Sequence, residues 1–382
     1  MHRISQAALR SLLDLLSSHH PDLPKDPRTL LSTGVVSGVK SIAGGHYYHF
    51  GVSSALSSLF SCYKSLLDCG NLALQINVDG LPLFKSSNGQ FWPILGLLLD
   101  TDSLQAGSSK PFLIGLYFGE SKPKNVNEFL DPFIDEMLKL EQDGFEFGGK
   151  VHQVSIASFV CDAPARAYIK CIKGHTGYSS CEKCMTEGEY RDRMCFLETS
   201  APLRSDVSFD EMRDEDHHQG VSPLKRLSLG LVSNFPLDYM HLVCLGVMKR
   251  MLNLLQKGPN RIRLRAQTLA RMSEIHLGLQ PFIPREFARK PRSLLEVSRW
   301  KATEFRLFLF YTGPVVFKDV VPIEMFQNFL LLFVGVRLLA NPKHCIQYVD
   351  YARSLLQLFV QHFGRLYGRD MISYNVHSLL HL

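Results

Sequence analysis

Two aspartates and a paired-cysteine motif are the residues of this chain whose type and setting can do chemistry. Asp79 follows an apolar run, Leu72 to Val78, and is followed by Gly80 and Pro82. Asp162 closes a second run, VHQVSIASFVC, and precedes Ala163 and Pro164. A carboxylate where a buried strand ends must be satisfied by hydrogen bonds or bind something positive. Two such carboxylates brought together repel unless a cation sits between them. Magnesium is the natural candidate, because it takes oxygen ligands and tolerates sparse protein coordination. The competing role is capping, since Asp162-Ala-Pro also has the form of a helix N-cap followed by proline.

Cys181 and Cys184, in CEKC, have the two-residue spacing that lets both thiolates reach one tetrahedral zinc. A pair is only half a site. Cys171 and His175 would complete a compact C-x3-H-x5-C-x2-C string. His377 and His381, four apart on an expected helix, offer two imidazoles on one face instead. Buried cysteines and hydrogen-bonded histidines with no metal are the plainer alternative.

The elements that must position these residues can be read in order. The stretch from Leu72 to Asp100 reads as a strand, the loop KSSNGQ and a second strand, Phe91 to Leu99. Pro111 to Gly119 reads as a third strand. A helix follows, with Phe129, Phe133, Met137 and Leu140 at helical spacing, a cap at Asn125 or Asn127 and a stop at Gly144. A fourth strand then runs to Asp162, and a helix starts near Pro164. Three hairpin-linked strands and one helical crossover bring the fourth strand parallel to the first. If the two are neighbours, Asp79 and Asp162 end on the same sheet edge, where open α/β sheets bind their ligands. The fold class expected is α/β with a mixed sheet.

Before this sheet, residues 1 to 35 suggest a helix and a proline-containing connector, and GGHYYHFG (Gly44 to Gly51) suggests an aromatic plug leading into a helix. The 382 residues are 46% hydrophobic and 20% charged, enough to bury a large core and unlike a disordered chain. Net charge is +6, which is compatible with nucleic acid but weak evidence for it. Lysine and arginine gather at Lys249 to Arg271 and Arg285 to Lys301, where solvated helix faces are the simplest reading. The first twenty residues lack a signal-peptide cleavage pattern, and Phe326 to Leu339 is too short for a membrane span and carries Asn328 and Arg337. Nine cysteines in such a chain suggest metal binding before disulfides, in a soluble intracellular protein with no membrane partner.

Several blocks in order resemble one family. The DG acid after an apolar strand, DAPA with CxxC about twenty residues on, PLDYMHLVCLGVMKRML, RWKATEFRLFLFYTGPVV and YNVHSLLHL are similar to eukaryotic cut-and-paste transposases. The nearest likeness is to the CACTA/Mirage/Chapaev (EnSpm-like) group and its host-captured animal relatives, from about Ser41 onward. The resemblance implies an RNase H-like core of three antiparallel strands plus a parallel one, with a large helical insertion and helical flanks. It implies segments 1–68 (helical connector), 69–190 (core with the first two acids and CxxC), 191–295 (insertion) and 296–382 (third acid and histidine pair). It also implies that the family pattern continues past Leu382.

Carried onto this sequence, the family's DDE triad falls on Asp79, Asp162 and Glu304, with Glu296 the rival for the third place. The triad would hold two magnesium or manganese ions. Asp238 and His241 match a D-x2-H element, in a supporting role. The family pairs CxxC with a later histidine pair, which favours Cys181, Cys184, His377 and His381 for one structural zinc. The activity implied is strand nicking and strand transfer on transposon ends and target DNA, by a nuclear homo-oligomer. The alternative is a captured remnant that binds DNA or protein without chemistry. No zinc-finger array, helix-turn-helix signal or long basic arm is evident to read DNA sequence.

Overall fold

A computed structural model describes residues 4–31, 38–84, 86–99 and 110–382. Lys85 and Asp100 of the two-strand stretch, and residues 1–3 and 32–35 of the N-terminal segment, lie outside the described residues.

The chain opens with helices α1 (Gln6–Leu16) and α2 (Pro27–Leu30), then strands β1 (Lys40–Ile42) and β2 (Gly45–His49) and helix α3 (Val52–Cys62). The sheet continues with β3 (Asn71–Val78), the two-residue β4 (Leu81–Pro82), β5 (Gln90–Leu98) and β6 (Phe112–Gly119). Helix α4 (Val126–Asp143) crosses over to β7 (Phe145–Phe147) and β8 (Lys150–Phe159), and α5 (Ala163–Ile169) follows. The strands order as β1-β2-β6-β5-β3-β8-β7, with β4 paired to β5. β3 runs antiparallel to β5 and parallel to β8, so the sheet is mixed. The protein is therefore α/β, and the first and fourth expected strands are neighbours. The GGHYYHFG segment forms β2 rather than a loop, adding a strand beyond β6. Its Tyr47 is buried and packs edge-on against Phe129.

Alternation explains why β3 is central. Leu72, Leu74, Ile76 and Val78 are fully buried on one face. On the other, Gln75 donates to Ser158 Oγ (3.1 Å) and Asn77 to the Val160 carbonyl (2.7 Å), tying β3 to β8. α4 forms because Asn125 accepts from the Asn127 and Glu128 amides at its start, and Gly144 takes a left-handed φ of 77° at its end. Its buried Phe129, Phe133, Met137 and Leu140 are worth about 1.5–3 kcal/mol each in apolar burial.

The second half is helical. α6 (Asp206–Asp210) precedes a π-helical segment, Met240–Met248, that runs straight into α7 (Lys249–Lys257). α8 (Ala266–Gly278), α9 (Ala302–Leu307), a second π-helical segment (Phe308–Thr312), α10 (Gly313–Phe317), α11 (Ile323–Leu339), α12 (Val349–Tyr367) and α13 (Tyr374–Ser378) complete it. Buried residues up to Phe235 share the core with the sheet, whereas those from Leu242 to Leu379 form a second core. The expected insertion, 191–295, is thus shared between the two: its first part packs with the sheet, its second with the C-terminal helices. The apolar stretch Phe326 to Leu339 lies within α11, where buried Asn328 donates to the Phe359 carbonyl (3.0 Å). No helix among the described residues is long and apolar enough to cross a membrane.

Candidate metal centres

In the parallel ladder Ile76 pairs with Phe159, and Asp79 and Asp162 each stand three residues farther on. Beyond the ladder, the Val160 amide donates to the Ile76 carbonyl (2.8 Å) and the Val78 amide to Cys161 Sγ (3.3 Å), so the two chain ends stay side by side. Gly80 lets the chain pass close to Trp92, since a Cβ there would sit 3.0 Å from the indole, tighter than ordinary packing. Burial and then the charge of Asp162 push the Asp79 carboxyl above its usual range. Asp162 also caps α5, its Oδ1 accepting from the Ala165 amide at 2.8 Å. Of the two sequence readings of Asp162, the cap is formed, through Oδ1.

Asp238 and His241 join this pair. Asp238 accepts from the Met240 amide (2.8 Å) and its Oδ2 lies 2.5 Å from His241 Nδ1, at the mouth of the π-helical segment. Burial pushes Asp238 upward, but the His241 ring and the Met240 amide bring it below the ordinary carboxylate range. The bond to Asp238 raises the His241 imidazole, against burial, and the charges of Asp162 and Asp79 raise it further. His241 also lowers Asp79, and Asp238 raises it. Three carboxylates and one imidazole therefore act on one another at the carboxyl ends of β3 and β8. π-helical turns in α-helices often mark functional sites, and this one starts beside His241.

Among the described residues, Glu304 forms no group of ligand atoms within 4.8 Å with these acids, and it has partners of its own. Arg292 holds its carboxylate with Nε (2.6 Å) and Nη2 (2.7 Å), and the Lys301 amide donates to it at the start of α9 (2.7 Å). The charges acting on Glu304 are those of Arg292 and Arg289, while the carboxylates acting on Asp79 are Asp162 and Asp238. Trp300 and Phe305 do bury one face of α9, as the sequence suggests, but the acid that this aims inward meets an arginine. Glu296 is half-exposed and pairs with Arg299.

The second centre is built from distant residues. Cys181, Cys184, His377 and His381 place one ligand atom each within 4.8 Å of all the others. Cys181 Sγ lies 3.5 Å from Cys184 Sγ and from His381 Nε2, and His377 Nε2 lies 3.3 Å from both Cys184 Sγ and His381 Nε2. A tetrahedron with metal–nitrogen bonds near 2.0 Å and metal–sulfur bonds near 2.3 Å has edges of about 3.3–3.8 Å. The donor set and its spacing fit a metal such as zinc. Cys181, Cys184 and His377 are buried and Phe196 stacks against His377, which excludes water from most of the cluster. The Cys171 and His175 alternative is not gathered in: the His175 ring packs on Tyr374 instead.

Glu182, between the two cysteines, is a feature that spacing alone did not reveal. It is fully buried, accepts from Arg166 Nε (2.9 Å), Lys170 Nζ (3.1 Å) and the Tyr374 hydroxyl (2.9 Å), and is held down at about 2. Burial raises it, and Lys170 and Arg166 more than offset that. Arg166 Nη1 also donates to the Cys161 carbonyl (2.6 Å), one residue before Asp162. One ionic cluster thus ties the Cys–His centre to the acid site through α5. The only sequence signal was a charged residue inside a CxxC motif.

In comparisons with known proteins, no family model and no curated protein matches this chain.

Proposed function

We propose that this chain is a transposase-derived polynucleotidyl transferase with an RNase H-like core, acting on DNA phosphodiesters in the nucleus. The observation that carries this reading is the convergence of Asp79 and Asp162 at equivalent ends of two parallel strands, with the Asp238–His241 pair facing them. The four-strand order with a helical crossover supports it, as do the sequence blocks named above. Two partly buried carboxylates side by side are a fit for a divalent cation, which Asp79 and Asp162 would hold. Magnesium or manganese there would polarise a phosphodiester and activate a water or a 3′-hydroxyl for attack. The chain's own work is positional. Asp162 is fixed by capping α5, Asp79 by the Gly80 amide, and His241 by Asp238, which orients the ring and leaves Nε2 for a substrate oxygen. The buried Cys–His centre takes zinc and clamps the C-terminal helices onto the segment after Asp162.

A second reading has one observation in its favour. Glu304 is paired with Arg292, and among the described residues no group of three acidic ligands is gathered within 4.8 Å, which suits a captured remnant that binds without chemistry. One experiment separates the two. Purified protein with magnesium or manganese is incubated with supercoiled DNA, beside Asp79→Asn. Metal-dependent nicking lost in the variant supports the enzyme; equal products from both remove Asp79 from any active site and leave the remnant.

A further inference from the structure

The acid site and the Cys–His centre leave two adjoining cavities unassigned. The larger, about 600 Å³, has Arg193, Lys249, Arg250 and Lys257 in its wall. The other, about 400 Å³, has Lys122 and Lys124. Both walls include His175 and Thr176, so the cavities meet there. No aspartate or glutamate lines either one, in a chain with 36 acidic residues. Among the described residues none of the six cations forms an ion pair, although their neighbours Arg191 and Arg261 pair with Glu189 and Asp370.

The cations are also positioned rather than scattered. Arg250 Nε donates to the Met371 carbonyl (3.0 Å), and its Nη2 and Arg193 Nη1 both face the Met371 sulfur at 3.7 and 3.6 Å. Two guanidinium groups are thereby held near each other without an ion-pair partner, although the Asp370 charge acts on Arg250. Lys122 Nζ is held 5.0 Å above the Tyr168 ring. Fixed positive charge without a paired carboxylate is stabilised by solvent or by a bound anion.

Both cavities border the acid site in sequence and along the helices. Pro164, in the smaller one, is two residues past Asp162 on the first turn of α5. Leu245 and Gly246, in the larger one, follow His241 by four and five residues, about one turn of the π-helical segment. We propose that the two cavities form one track for the phosphodiester backbone of a nucleic-acid strand that passes the acid site. Six cations over two joined cavities exceed what a single phosphate neutralises. Met194, Leu245, Leu254 and Pro259 between them offer apolar surface for sugar and base faces. The walls are concave, which a flat membrane surface does not fit. This deepens the phosphoryl-transfer reading, yet it is measurable without chemistry.

The test is oligonucleotide binding by fluorescence anisotropy on the full chain, in EDTA, across a salt series. Lys122, Lys124 and Lys257 are exposed, so Lys122→Gln/Lys124→Gln/Lys257→Gln should fold. Each lost phosphate contact on a single strand lowers the slope of log K against log salt by about 0.7. The triple variant should therefore flatten the slope by about 2 and bind about a hundredfold more weakly at 0.1 M salt. A control that removes the same charge elsewhere, Arg271→Gln/Lys318→Gln/Lys343→Gln, should bind like wild type. An unchanged slope in the track variant, or an equal loss in the control, overturns the track. So does complete displacement by inorganic phosphate at constant ionic strength. A chain that binds through the track but never nicks sinks the enzymatic reading alone.

Discussion

Asp79 and Asp162 stand just past the ends of two hydrogen-bonded parallel strands, each three residues beyond the pair Ile76–Phe159. Both positions follow from strand register, which packing on the buried face of β3 fixes: a slip of one residue would turn Leu72, Leu74, Ile76 and Val78 outward.

Asp162 does two jobs that can be separated by substitution. Asparagine caps a helix about as well as aspartate, so Asp162→Asn should leave the denaturation midpoint unchanged while abolishing metal-dependent nicking by at least about a hundredfold. Asp162→Ala should in addition lose about 1 kcal/mol from the missing cap. Retained nicking in Asp162→Asn, measured on supercoiled DNA, counts against the acid pair.

Metal analysis of the purified chain should find one zinc, released by Cys181→Ser/Cys184→Ser and by His377→Ala. Zinc should persist in Cys171→Ser and His175→Ala, whose side chains lie outside the cluster. Because binding energy at such a centre is also folding energy, chelation should lower the thermal midpoint. The same zinc content in the Cys181→Ser/Cys184→Ser protein would falsify the centre.

Glu182 should be among the most sensitive positions in the molecule. Glu182→Gln leaves Arg166 and Lys170 buried without their counter-charge, which costs about 3–5 kcal/mol. Tyr374→Phe removes one hydrogen bond to the same carboxylate and should cost about 1–3 kcal/mol. Urea denaturation measures both. A Glu182→Gln loss under about 1 kcal/mol would mean that the cluster is hydrated rather than sealed.

Glu304→Ala should act on stability alone. It removes a buried carboxylate from Arg292 and the first turn of α9, worth about 2 kcal/mol, and should leave any nicking at the wild-type level under conditions where the variant is folded. Loss of nicking on the scale of Asp79→Asn, with the fold intact, would put Glu304 back among the catalytic acids.

His276 gives the fold a pH dependence with a defined sign. Burial against Trp300 and Phe308 holds its imidazole down at about 4, so on acidification the unfolded chain takes up the proton first. Its contribution is complete above the ordinary histidine range, near pH 6.5, and is lost as pH falls toward 4, on the order of 3 kcal/mol in all. His276→Asn can still donate to the Arg292 carbonyl and should flatten this part of the curve. Urea midpoints from pH 7 to pH 4.5 check it; no difference in slope between variant and wild type excludes His276 as the source.

What the sequence revealed and what it hid have physical reasons. The Asp79–Asp162 pairing was legible because strand order and a single crossover leave few topologies. The Cys–His centre was legible as ligand spacing, CxxC and a histidine pair four apart, although only folding could choose it over Cys171 and His175. Glu304 was ambiguous because its spacing on an amphipathic helix is the same for an inward-facing catalytic acid and for a carboxylate aimed at Arg292. β2 was missed because GGHYYHFG is short and aromatic, and pairing to β6 and β1 decides its conformation more than its own propensity does. The cationic track was hidden for another reason. Its lysines and arginines come from three separated stretches, and each alone looks like a solvated helix face.

The Cys–His centre joins residues two hundred positions apart, Cys181 to His381. At about 5–20 residues per second of synthesis, His381 follows Cys181 by on the order of 10–40 s. The β-sheet, complete by Phe159, can fold in that interval, whereas the two thiols wait as an open half-site. Closure of the centre is therefore set by the arrival of two histidines, and until then its thiols are open to oxidation and stray metals.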